Sequence, residues 1–108
     1  MIDINKFTQT PVDRLKNIND GDKIELLTYK KDRKITIIKV DGQSCNVIED
    51  GFDLKTFTNV DKAKLSKLLK QLQLIEFPRS KKFFMRIILA VDTNSDNKLR
   101  FNENNNGF

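Results

Sequence analysis

Between residues 23 and 58 the chain is rich in strand-forming residues cut by short turn signals. From 61 to 76 its leucines recur every three or four positions. These two patterns predict a sheet followed by an amphipathic helix that covers it. The candidate strands are KIELLTYK (23–30), ITIIKV (35–40), SCNVIE (44–49) and FDLKTFT (52–58). KKDRK turns the chain between the first two, and Asp41-Gly42 and Asp50-Gly51 separate the others. Asp and Gly tolerate the positive φ that tight hairpins need. Strands joined by such short turns predict a four-stranded antiparallel meander, open or curled into a small barrel, with one face in need of cover.

The helix over 61–76 sets Leu65, Leu68, Leu69, Leu72 and Ile75 on one stripe. Asn59 is its candidate N-cap, Asp61 suits the positive end of its dipole, and Pro78 helps to end it. Before the sheet, Pro11 opens a second, shorter helix in which Val12, Leu15 and Ile18 share a face. Residues 1–10 read as a polar leader. The segment RSKKFFMRIILAV (79–91) is open to two readings. Phe84, Ile87, Ile88 and Val91 sit at helical spacing behind a candidate N-cap, Ser80, whereas Phe, Ile and Val also favour a buried strand. The length of the run and the loop that follows it favour a helix. The expected fold is therefore α+β, a meander with a short N-terminal helix and two C-terminal helices, in a single domain with 104–108 frayed.

Composition narrows the function classes. The chain of 108 residues is 38% hydrophobic and 32% charged, which suits a globular domain rather than a disordered one. It holds no histidine and a single cysteine, Cys45, in a predicted strand. The commonest general base is thus missing, no disulfide can close within the chain, and no nucleophile–base pair is legible. The start, MIDINKFTQT, lacks the basic region and apolar run of a signal peptide, and points to a reducing, cytoplasmic setting.

Formal net charge is +5, which favours acidic partners. Lys30, Lys31, Arg33 and Lys34 crowd the first hairpin turn. Lys62, Lys67 and Lys70 lie on the predicted helix, and Arg79, Lys81 and Lys82 follow it. With Tyr29, Phe52 or Phe57 as stacking groups, these cations describe a non-enzymatic module for nucleic acid or an acidic protein surface. The bland alternative is that lysines solvate a helix face and a hairpin tip while the aromatics are core. A further alternative is a regulatory domain that docks a partner protein on its sheet.

Near the end the chain reads DTNSDNKLRFNE (92–103). Asp92, Asn94 and Asp96 carry short oxygen side chains at alternate positions, Lys98 can offer its carbonyl, and Glu103 is long enough to reach back with both oxygens. Together with Phe84, Ile87, Ile88 and Val91 before it, this stretch resembles an EF-hand loop, over residues 84–103 only. The resemblance implies calcium as a ligand, held by Asp92, Asn94, Asp96, Lys98 and Glu103. Asn97 stands where that family places glycine, Arg100 where it places an oxygen ligand or a water bridge, and no exiting helix is spelled after Glu103. Those departures imply weak binding, of the order of millimolar.

Overall fold

The computed structural model describes residues 1–90. Six strands form one antiparallel sheet: β1 (Ile2–Asp3), β2 (Lys23–Leu27), β3 (Lys34–Lys39), β4 (Ser44–Asp50), β5 (Leu54–Asp61) and β6 (Lys82–Ile88). Their spatial order is β1-β6-β2-β3-β4-β5. The sheet is therefore an open ribbon with β1 and β5 at its edges, not a closed barrel. Two α-helices accompany it, α1 (Gln9–Leu15) and α2 (Lys62–Glu76), with a 3₁₀ turn over Ile4–Lys6. The α+β class and the antiparallel meander β2–β5 agree with the sequence pattern. The strand count and the number of helices do not.

The largest correction falls on 79–91. Residues 82–88 are a strand that pairs with β2 along its length, Ile24 opposite Ile87 and Leu26 opposite Met85. The operative period is two. Phe83 is fully buried and Met85 and Ile87 pack against the core, while Arg86 on the opposite face is exposed. Phe84 and Ile88 are four residues apart, a spacing that places two side chains on one face of a strand as readily as of a helix. Ser80 accordingly caps no helix. Its N–H donates to the Phe77 carbonyl in the loop before β6.

The polar leader is also structured. Ile2 and Asp3 pair with Phe83 and Lys82, and the Ile4 N–H donates to the Lys81 carbonyl. Phe7 is fully buried, with its ring 4.7 Å from Phe77 and 5.1 Å from Phe83. An aromatic cluster of this kind anchors a segment whose isolated apolar residues show no period. Helix α1 starts ahead of Pro11 and ends at Leu15, so Ile18 is buried beyond the helix rather than on it.

The core lies between the helices and the inner face of the sheet. Ile24, Leu26, Ile35, Ile37, Cys45 and Val47 meet Leu65, Leu69 and Leu72 of α2 there, with Leu15 of α1. Of the predicted leucine stripe, Leu68 is partly buried and Ile75 lies 40% exposed at the rim. The N-cap of α2 is Asp61, whose carboxylate accepts the Ala63 N–H, and not Asn59. Asn59 instead has a left-handed φ of 52° inside β5, where the register against β4 shifts. That is a bulge, and Asn tolerates its backbone better than other side chains do.

Candidate nucleic-acid interface

The outer face of the sheet carries Leu27, Phe84 and Lys34 in register, and Glu25 between Thr36 and Arg86. At the end of this face the β2–β3 turn is clamped from within. The Thr28 hydroxyl donates to Asp32 at 2.7 Å, the Thr28 N–H donates to the Arg33 carbonyl, and the Lys31 N–H donates to the Thr28 carbonyl. The Thr28 hydroxyl also holds the Asp32 carboxyl below its ordinary range. This clamp keeps Lys31 at a φ of 60°, a conformation that costs a non-glycine residue about 1 kcal/mol or more. The result is an ordered cation on an aromatic surface: Lys31 Nζ stands 5.0 Å from the Phe84 centroid.

Tyr29, 71% exposed, stacks on Phe84 with centroids 6.3 Å apart and planes 22° from parallel. Phe84 belongs to β6 and stands opposite Leu27, so the pairing of β2 with β6 builds the platform. One side of Tyr29 opens on a cleft of about 540 Å³ between the β2–β3 turn and the α2–β6 loop, with Lys30, Arg33 and Arg79 in its walls. The other side faces a hollow of about 440 Å³ lined by Met1, Lys81 and Lys82. Two of the predicted basic clusters are therefore brought together around one exposed tyrosine.

Their cations differ in how far they are already committed. Lys34 and Arg86 both pair with Glu25, at 3.4 and 2.6 Å. Arg33 lies 3.8 Å from a Glu76 carboxylate oxygen, and its Nη1 donates to the Glu76 carbonyl. Lys30, Lys31, Arg79, Lys81 and Lys82 form no ion pair among the described residues. The helix lysines stand apart from this end. Lys62 lines a small cavity with Lys16 and Lys39, Lys70 borders a hollow beside Thr8, and Lys67 is exposed on α2.

The aromatics sort in the same way. Phe52 is 73% exposed beneath Arg33, whose Cζ lies 6.0 Å from its ring, whereas Phe57 packs against the core. Phe84 was hidden from sequence reasoning by its assignment to a helix face. Cys45 is buried, and burial pushes its thiol up to about 11, which makes it a poor nucleophile.

Sequence reasoning also missed a carboxyl pair beneath the cleft. Glu49 continues the inward alternation of Cys45 and Val47, and Glu76 continues the α2 stripe one turn after Leu72. Both are essentially fully buried. Glu76 accepts the N–H groups of Phe52 at 2.7 Å and Asp53 at 3.1 Å, one on each oxygen. Neither Glu49 oxygen meets an N–H or O–H donor. Burial, then the approach of the Glu76 carboxyl and the negative charge of Glu76 and Asp53, push the Glu49 carboxyl up to about 7. Burial would raise Glu76 too, but the neighbouring Glu49 carboxyl, the two N–H groups and Arg33 outweigh it and hold Glu76 low. The signal in the sequence was an acid at an inward position of each element.

The calcium loop, with Asp92, Asn94, Asp96, Lys98 and Glu103, lies outside the described residues. Among the described residues no three acidic, histidine or cysteine side chains converge as a metal site would need. None of their helices is long and apolar enough to cross a membrane. No family model, curated protein or solved structure matches the chain.

Proposed function

We propose that the protein is a non-enzymatic module that binds single-stranded nucleic acid at the Tyr29 end of its sheet. The observation that carries this reading is the exposed Tyr29–Phe84 stack, capped by Lys31 and flanked by Lys30, Arg79, Lys81 and Lys82, none of them paired with a carboxylate. Unpaired bases stack on aromatic faces without regard to sequence, and cations beside those faces track the phosphates. A duplex keeps its bases stacked internally and offers this surface only its backbone.

Tyr29 is the sole tyrosine, and the chain has no tryptophan, so its fluorescence reports this site alone. Oligothymidine of about ten nucleotides is expected to quench it in a saturable way at low salt. Each phosphate neutralised contributes about −0.7 to the slope of log K against log salt. The five unpaired cations set a limit of about −3.5, or roughly a hundredfold loss of affinity between 50 and 200 mM salt. Salt-dependent binding of polyglutamate, with tyrosine emission unchanged and no response to oligothymidine, would point to an acidic protein partner instead. No response to either removes the site from consideration.

A further inference from the structure

Glu49 and Glu76 come from β4 and the end of α2, and both are buried between sheet and helix. Two carboxylates in contact in such a place cannot both stay ionised at low cost. A metal ion fits poorly, because both Glu76 oxygens already accept N–H groups and Arg33 stands beside them. A proton fits well. It gives Glu49 the hydrogen it otherwise lacks and leaves Glu76 as the acceptor of three hydrogen bonds. We propose that Glu49 and Glu76 hold one proton between them, and that its loss weakens polyanion binding at the Tyr29 cleft by placing a second buried negative charge near Arg33.

The connection to the cleft is short. Glu76 lines it, and Arg33 touches both the Glu76 carboxylate and its carbonyl while forming part of the cleft wall. The other charged groups facing the pair are Asp53 in the β4–β5 turn and Lys55, which stands opposite Glu49 on β5. Across the cleft are Lys30, Asp32 and Arg79. With Glu49 protonated, Arg33 faces one carboxylate. With Glu49 ionised it faces two, and the field that attracts phosphate falls. One unit charge acting over a distance of about 8 Å at an effective dielectric of about 40 changes affinity about fivefold.

The ligand half of this inference rests on the nucleic-acid reading, while the shared proton does not, so two measurements are made. The first follows the side-chain carboxyl carbons by NMR from pH 4 to 9, in the protein without ligand. One of the two glutamates is expected to titrate near neutrality and the other far below it. Ordinary titration of both near pH 4.5 overturns the pair. A saturable response of the same carbons to calcium or magnesium at pH 8, without a titration near neutrality, overturns it in favour of a cation.

The second measures oligothymidine affinity at pH 5.5 and 8.5 in the wild type and in Glu49→Gln, whose amide can donate to Glu76 as the protonated acid does. The variant, and not the pH change alone, decides. The wild type is expected to lose about fivefold on going to pH 8.5. Glu49→Gln is expected to bind about fivefold more tightly than the wild type at pH 8.5 and equally at pH 5.5. An unchanged pH dependence in Glu49→Gln overturns the coupling. If oligothymidine fails to bind at either pH, the nucleic-acid reading and the ligand half fall together, and the carboxyl titration still decides the proton. If Glu49→Gln does not fold, wild-type affinity measured in steps from pH 5.5 to 8.5 decides: a fall whose midpoint matches the glutamate titration supports the coupling, and a flat profile or another midpoint overturns it.

Discussion

Gly51→Ala tests whether the buried carboxyl pair holds the fold together. Gly51 sits between β4 and β5, and its N–H donates to the Asp53 carbonyl. A methyl group there would overlap Glu76 Oε1 and come within 3.0 Å of Arg33 Cβ and Cγ. A side-chain oxygen can often swing aside, but this one is fixed by full burial, by the Phe52 N–H at 2.7 Å and by its partner oxygen on Asp53. Moving it gives up two hydrogen bonds to an ionised group, each worth roughly 1.5–3 kcal/mol. The unfolded chain loses some freedom on gaining a methyl group, which returns about 0.4–1 kcal/mol. The net cost is therefore about 2–5.5 kcal/mol, a large part of the roughly 5–15 kcal/mol that holds a domain of this size. It corresponds to a fall in Tm of about 10–25 °C. Urea denaturation followed by circular dichroism measures it, with Gly42→Ala as the reference, because no atom lies within 4 Å of a methyl group there. A Gly51→Ala variant within about 0.5 kcal/mol of Gly42→Ala would refute the claim that the Glu76 carboxylate is immovable.

Three further outcomes follow from other parts of the molecule. Phe7→Ala should cost about 3–5 kcal/mol, because a fully buried ring leaves a cavity between Phe77 and Phe83, and rapid amide exchange at Ile4 should show β1 detaching with it. Tyr29→Ala should leave the urea midpoint almost unchanged while weakening oligothymidine binding about tenfold, as a lost base stack does; fluorescence anisotropy of labelled oligothymidine measures it. Asp22 accepts the N–H groups of Ala90 and Asn19, which hold its carboxyl below 3.8. Its contribution is full above that value and is lost as pH falls through the lower folded value, so the stability gap between wild type and Asp22→Asn should narrow in acid titrations below pH 3.8.

The carboxyl pair gives the pH profile a distinct shape. Glu49 keeps its proton in the folded chain at pH values where the unfolded chain has released it. Stability should therefore fall as pH rises from 4.5 to about 7, with the whole penalty present above that. Glu76 works in the opposite direction, since its low folded value adds stability above 4.5 that disappears in acid. The maximum should thus lie on the acidic side of neutrality. Differential scanning calorimetry from pH 3 to 9 locates it, and a maximum above pH 8 would contradict this account. In Glu49→Gln the fall towards neutral pH should be absent.

Much of the sheet was legible because its inner strands obey local rules. The alternation of Cys45, Val47 and Glu49 and the turn at Asp41-Gly42 need no distant partner to be read. The 82–88 segment did need one. Its Phe, Ile and Met residues satisfy both periods, and what selects the strand is the free edge of β2, which lies far away in sequence. The first residues failed for the same reason: Ile2, Ile4 and Phe7 have no period of their own, and their partners are Lys82, Phe83 and Phe77. Once β6 lies between β1 and β2, the placement of the candidate site follows. Phe84 turns to the outer face beside Tyr29, and the loop that leads into β6 brings Arg79, Lys81 and Lys82 up to the first hairpin turn. The acids were visible as single violations of the pattern, one on an inward strand position and one on an inward helix position. Each alone reads as an edge residue. Only the packing of the α2 C-terminus against the β4–β5 turn makes them neighbours, and it places them beneath the cations on which the proposed binding depends.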